Sequence, residues 1–519
     1  MHRRAYCPPW PPRTAGVGLL IVLAGACTDG GDDAPGEAGL HATQSMIYLG
    51  IDGTSRPRPI DLSGAIVAAH VPRDGGGWEV YPGVGDGDGN VVVPGVPAGP
   101  RWLRIQPEST DHERGPRDEY VWSDADDIDF SLTRIGRPDP SYPSASTPLV
   151  LDADGLEPWA AGTDLLGVYS PNLEFVNYFH QDGDGVTGFP AAGATALETT
   201  FDWRGLIGPL ADASSGDRTV FSQYRRLASN GLEYYAPVAS FEARYTQTDG
   251  ATTRVEGRFT PGPSLSYRLT WKRSAFEALR TAIHPDTQAS GGHAFAVYTS
   301  SGLTDDDWHW ATAPIEVIAT GSRALDGTDD VDFGELVVRN PFPRESLFRF
   351  HDVFFTVPFD VDGHELRMPT HIGQYERLPD GADGAAPVAP LVSPVRSLQI
   401  AGRDAWQPQR DVGLEPELRW EAPATGAVRQ YRILVAEPFG RYPTPDPDLG
   451  TDWTRAATLL VPGDVTSVTL PHELLVDGRR YVVVVRAIKQ PSHVDVRETP
   501  YRRALPYAYA DAVSALFQP

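Results

Sequence analysis

Glycine and proline punctuate this chain so densely that long helices have little room to form. The 52 glycines and 48 prolines make up 100 of its 519 residues and follow no repeat period. Glycine admits positive φ and proline removes a backbone donor, so each tends to end a regular element. Between them lie short apolar or alternating runs, for example residues 149–151, 165–169, 238–245, 265–271, 347–358 and 481–487. Most are 10–20 residues apart with turn residues between them, the pattern of β-sandwiches and barrels. Hydrophobic residues make up 41% of the chain, enough for real cores.

The first residues carry a different signal. Arg3, Arg4 and Arg13 precede an unbroken apolar or small run, residues 15–26. A membrane-spanning helix needs roughly 20 apolar residues, so this shorter run reads as a cleaved export signal over residues 1–26. It ends in Leu23-Ala24-Gly25-Ala26-Cys27, which resembles a bacterial lipobox. The resemblance implies that Cys27 is lipidated and becomes the first mature residue. The same residues also fit an ordinary A-x-A cleavage site, with Cys27 incidental. Thr28, rather than Asp, follows Cys27. By resemblance to lipoprotein sorting rules, that implies the outer membrane. The other cysteine, Cys7, is lost on cleavage, so a disulfide, a cysteine zinc site and a cysteine nucleophile are excluded. Residues 27–45 read as the lipidated cysteine and a flexible Gly/Asp-rich tether.

The formal net charge is −25. That argues against nucleic acid and anionic membrane surfaces as partners, because both repel an acidic protein. Membrane contact is expected through the N-terminal lipid anchor only, and the expected partner is a protein or a glycan.

Three modules follow the tether. Residues 46–136 contain GNVVVPGVPAGPRWLRI at 89–105, which resembles carboxypeptidase-regulatory or transthyretin-like sandwiches. Residues 147–392 form a large central β domain, with Asp249-Gly250 and Asp362-Gly363 as hairpin turns. It has one short helix, predicted from a capping-box pattern, Ser274 to Glu277, and stopped by Pro285. Residues 394–519 resemble a fibronectin type III domain. Trp420 would be its core tryptophan, and LLVDGRRYVVVVRA at 474–487 its tyrosine corner, with Tyr481 bonded back to the turn. Residues 137–146 and 380–393 read as linkers. The long loop 490–506 is the kind of segment where binding sits. The expected fold class is thus all-β: three tandem sandwich-like modules, the central one large, after a signal peptide and tether.

Several catalytic and metal-binding signatures are only partly matched. Gly262-Pro263-Ser264-Leu265-Ser266 fails the serine-hydrolase elbow at its last position. His364-Glu365 and His472-Glu473 start like zincin motifs, but Met368 and Val476 stand where the second histidine belongs. Asp86, Asp88 and Asn90 begin like a calcium loop, and Asp182 with Asp184 is a second candidate. Both also read as hairpin-turn chemistry. His351, His364 and His371, with Asp352 and Asp362, lie close enough in sequence for a metal site. Trp308 and Trp310 flank His309 and would share a strand face, suited to stacking on sugar rings or to core packing. No cofactor is expected apart from calcium at those carboxylates. The expectation is an exported, lipid-anchored, non-enzymatic binding, display or scaffolding protein. The alternatives are a carboxylate-dependent, carbohydrate-active hydrolase in the central domain, or a glycan- or calcium-dependent adhesin.

Overall fold

The computed structural model of the chain describes residues 39–50, 54–106, 118–183, 185–206, 208–299, 315–319, 328–343, 345–378, 386–438 and 449–519. Its longest hairpin grows from Asp362-Gly363. Both residues take positive φ, 55° and 80°, the conformation of a type I′ turn, whose twist matches the strands it joins. Strands Phe348–Val361 and His364–Arg377 run from this turn in unbroken register. Val353, Phe355, Val357, Phe359 and Val361 alternate onto one face, into the main core. Phe348 and Phe350 pack on the opposite face.

This hairpin is the middle of a sixteen-stranded sheet. On one side lie, in order, Gln288–Thr299, Ile315–Ala319, Leu232–Ala243, Thr219–Ser229, Leu165–Ser170 and Phe175–Phe179. On the other lie Tyr507–Val513, Val482–Lys489, Gln430–Pro438 and Trp453–Pro462. Beyond these come Asp118–Ser123, Arg101–Gln106, Ile66–Pro72 and Trp78–Pro82. The C-terminal part of the chain is therefore placed between the central and the N-terminal parts. Every neighbouring pair is antiparallel except Trp453–Pro462 with Asp118–Ser123, which is parallel. That pairing covers a strand edge that would otherwise be open to pair with another chain.

Smaller sheets cover this spine. One is Val186–Thr187, Ala196–Asp202, Pro148–Asp154 and Thr253–Arg258, which encloses a core of Leu149, Leu166, Phe201, Trp203 and Phe221. A second core gathers Leu40, Val67, Val91 and Leu103. The largest runs through all three parts of the chain, joining Trp102 and Tyr120 to Trp271 and Phe355 and to Trp420 and Tyr431. Strands dominate throughout, so the protein is all-β. The Tyr481 hydroxyl accepts the Val476 amide at 2.9 Å, the bond that the tyrosine-corner reading requires.

Several local expectations change. Residues 39–43, within the stretch read as a tether, form strand Gly39–Thr43. Leu40 and Ala42 alternate inward there and are almost fully buried, which offsets the cost of ordering the strand. The capping box does not form. Lys272 takes the N-cap position, Ser274 Oγ donates to Asp330 Oδ1 at 2.7 Å, and Glu277 pairs with Arg280. The helix is accordingly two short turns, Arg273–Glu277 and Arg280–Ile283, buried through Phe276 and Ile283. Asp249-Gly250 does not close a hairpin, since the strands flanking it, Leu232–Ala243 and Thr253–Arg258, belong to different sheets. Its carboxylate instead accepts the Ser144 and Ala145 amides at 3.0 and 3.1 Å, pinning residues 144–145 of the first linker. Of the second linker, Val388 is buried and exchanges backbone bonds with Thr270 and Lys272.

Candidate functional site

The residues singled out in the sequence are scattered. Cys27, Asp184, Trp308 and Trp310 lie outside the described residues. Asp86 occupies a tight turn: Oδ1 accepts the Asp88 and Asn90 amides at 2.9 and 2.8 Å, and Oδ2 accepts Asn90 Nδ2 at 2.9 Å. These bonds hold its carboxyl below the usual carboxylate range. Asp182 Oδ1 accepts the Phe189 amide at 2.8 Å. Among the described residues no group of three or more His, Cys, Asp or Glu is placed to hold a metal ion. The His351–His371 cluster is divided by the pleat of the sheet. His351 packs inward against Trp271 and Phe295, with ring centroids 4.9 and 4.8 Å away, and burial drives its pKa well down. His371 belongs to the other face, beside Phe354. Asp362 pairs with Arg480 at the hairpin tip.

The long loop at 490–506 is turned inward. Gln430 Nε2 donates to the Pro500 carbonyl at 2.8 Å, and Ser123 Oγ donates to the Arg497 carbonyl at 2.9 Å. Arg497 also lies 3.0 Å from Asp124, and the Asp129 amide donates to Glu498. The loop thus clasps the N-terminal part of the chain to the C-terminal part. Trp102 Nε1 adds a bond to the Thr469 carbonyl at 3.0 Å, and Tyr120 Oη one to Glu473 at 3.1 Å.

The seam between strands His364–Arg377 and Tyr507–Val513 holds a cluster of buried charge. Asp511 is 1% exposed and accepts both Arg486 Nε at 2.7 Å and Arg486 Nη2 at 3.0 Å. It also accepts the His371 amide at 3.0 Å. On the neighbouring rung Asp352 meets His371 Nδ1 at 3.1 Å and accepts from Tyr509 Oη at 3.2 Å. Burial pulls the His371 pKa down, but the charge and hydrogen bond of Asp352 outweigh it, so the net direction is up. Gly373 makes this rung possible. A Cβ there would lie 2.5 Å from Tyr509 Oη and 2.8 Å from Asp352 Oδ1. Gly373→Ala should therefore cost about 1–3 kcal/mol, the usual penalty for overpacking a filled site. Chemical denaturation checks this, and an unchanged midpoint would show that the seam has slack.

A half-buried acid, Glu316, escaped notice in the sequence. Glu316, on strand Ile315–Ala319, sits opposite Tyr298. Its amide donates to Tyr178 Oη at 3.3 Å, and its carbonyl accepts from Tyr224 Oη at 2.7 Å. Burial pushes its carboxyl up to about 7, against the opposing hydrogen bond from Tyr298. In register, Glu316 and Asp352 are two strands apart and four residues along Gln288–Thr299. That is about 10 Å across and 13 Å along, or roughly 16 Å between backbones. Glycosidase carboxyl pairs lie roughly 5–9.5 Å apart, and Asp352 reaches away from Glu316, toward Tyr509 and His371.

The third feature is a cavity of about 240 Å³ where the N-terminal part meets the central part. Its walls include Arg56, Arg137, Arg218, Arg244, Asn172 and Ser215. Arg137 is fixed by Asp217, whose side chain is fully buried, through Nε at 2.9 Å and Nη2 at 3.0 Å. Arg218 bonds Glu242 at 2.9 Å and lies over the Phe342 ring. Asn172, in the turn Pro171–Leu173, donates through Nδ2 to the Gly216 carbonyl at 3.0 Å. No carboxylate residue lines the cavity. No motif announces this site. Its arginines are far apart in sequence, and only their sign, set against a net charge of −25, hints at it.

No family model matches the chain, and no curated protein matches it. Among solved structures, the FN1–FN3 domains of chicken CNTN1 share 10% identity over 72% of this chain and 95% of theirs, with a TM-score of 0.14. A tetra-tandem repeat from the extending region of a large adhesion protein shares 12% over 92% and 99%, with a TM-score of 0.12. The major pilin subunit of Bacillus cereus shares 9% over 64% and 95%, with a TM-score of 0.11.

Proposed function

We propose that the protein is a non-enzymatic binding, display or scaffolding lipoprotein of the cell envelope, tethered to the outer membrane through Cys27. The observation that carries the display reading is the order of the sixteen-stranded sheet. Its C-terminal strands are paired on one side with the central part and on the other with the N-terminal part. A chain stitched this way holds its surfaces in fixed relation, which suits presentation better than hinged catalysis. The anchor reading rests on the LAGAC stretch at 23–27 and the Gly/Asp-rich residues after it. Expression in a Gram-negative host with an alkyne-tagged fatty acid tests it. The wild-type chain should take up label and fractionate with outer membranes, and Cys27→Ala should do neither. An unlabelled wild type would overturn the anchor.

One observation favours a second reading, a carboxylate-dependent hydrolase. Glu316 has the raised pKa expected of a general acid. The estimated spacing to Asp352 opposes it, and turnover of reporter glycosides that disappears in Glu316→Gln would establish it.

A further inference from the structure

We propose that the arginine-lined cavity between the N-terminal and central parts binds a phosphoryl ester carrying a hydroxyl group beside its phosphate. This goes beyond the display reading and stands without it. Four guanidinium groups from four separate segments border the cavity, and no carboxylate does. Guanidinium forks match the geometry and charge of phosphate oxygens. A carboxylate would offer two oxygens to four such groups, whereas a tetrahedral phosphoryl group offers an oxygen in each direction.

The scaffold behind the cavity is already ordered. Asp217 fixes Arg137, and Glu242 fixes Arg218, so these two need little reorganisation to receive an anion. Arg244 is 61% exposed and 3.9 Å from Glu242, and among the described residues no ion pair joins Arg56 to a carboxylate. Both are available to close on a ligand. The hydroxyl follows from a second observation. Asn172 is 6% exposed, lines the same cavity, and its Oδ1 receives no hydrogen bond among the described residues. A buried acceptor left unmade costs about 1–3 kcal/mol, and a hydroxyl next to the phosphate would satisfy it. The volume, about 240 Å³, is below the roughly 300 Å³ at which drug-sized pockets begin. It therefore suits a small body such as a glycerol phosphate, free or as a lipid headgroup. The net charge of −25 acts over the whole surface, while screening confines its reach to about 10 Å at 0.1 M salt. Local arginines can therefore decide the sign at this site.

Calorimetric titration of the full chain in a neutral detergent tests the proposal, with glycerol 3-phosphate, inorganic phosphate and glycerol as probes. Glycerol 3-phosphate should saturate at one site and bind several-fold more tightly than inorganic phosphate, and glycerol should not bind. The double variant Arg56→Ala, Arg244→Ala should weaken binding at least tenfold while its ligand-free melting temperature stays near wild type. The failure of both phosphates to saturate would overturn the site, as would unchanged affinity in the double variant. Equal affinity for the two phosphates would overturn the assigned ester. Competition by short-chain phosphatidylglycerol in the micelle would assign the ester to a lipid headgroup. Lack of competition, with glycerol 3-phosphate still bound, would assign it to a soluble ester. Labelling at Cys27 does not depend on these arginines, so failure of the anchor and failure of this site remain distinguishable.

Discussion

Replacing Asp511 with alanine should lower the free energy of unfolding by about 3–5 kcal/mol, the usual loss when one partner of a buried ion pair is removed. Asp511 accepts two bonds from Arg486 and one from the His371 amide, and it is 1% exposed. Its removal leaves a guanidinium and an amide buried on strands that join the central and C-terminal parts. Solvent cannot rescue the charge without opening that seam. The cost arises from a buried cation that has lost its carboxylate rather than from a large net worth of the pair. Arg486→Met combined with Asp511→Leu should therefore come back to within about 1–2 kcal/mol of wild type, since well-packed apolar replacements of buried pairs are often neutral. Urea titration of the two variants reads both effects. A loss below about 1 kcal/mol in Asp511→Ala would mean that the seam already admits water.

The contrast between this seam and the hairpin beside it shows what the sequence could and could not disclose. Asp362-Gly363 was legible because a two-residue turn is a local decision: both residues must take positive φ, and few residue pairs do so readily. Tyr481 was legible for the same reason, since it bonds only five residues back. The pairing of Asp118–Ser123 with Trp453–Pro462 was not. Strand edges offer the same amide and carbonyl groups whatever their sequence, so nothing local selects a partner more than 300 residues away. The capping box failed through the same competition. Ser274 and Glu277 match the pattern, but Asp330, distant in sequence, took the serine hydroxyl. The Asp86 turn was open to two readings because one residue pattern serves two chemistries, and in the structure its oxygens are engaged by their own loop. Arg56, Arg137, Arg218 and Arg244 carried no periodic signal at all. Their meaning comes from being brought to one cavity.

Glu316→Gln should stabilise the protein at alkaline pH and leave it nearly unchanged at acid pH. The ordinary carboxyl value is 4.5, and burial pushes this group up to about 7 in the folded chain. Below about 4.5 the group is protonated whether the chain is folded or not, and it contributes nothing to the balance. Between the two values the unfolded chain releases a proton that the folded chain retains, so folding loses stability as pH rises. Above about 7 the penalty is complete. At about 1.36 kcal/mol per tenfold change in proton affinity, the rise from 4.5 to about 7 amounts to about 3 kcal/mol. Glutamine keeps the size and can still accept the Tyr298 hydroxyl, but it has no proton to lose. The stability curves of wild type and variant should therefore meet near pH 4 and separate by about 3 kcal/mol by pH 8. Any fall that persists in the variant above pH 6.5 belongs to His371. Its folded pKa lies above its unfolded value, so its contribution is complete below about 6.5 and lost as pH rises through the folded value. Parallel curves for the two proteins from pH 4 to pH 8 would mean that water reaches the Glu316 carboxyl. Its raised affinity for a proton would then go, and with it the one observation that favours a hydrolase.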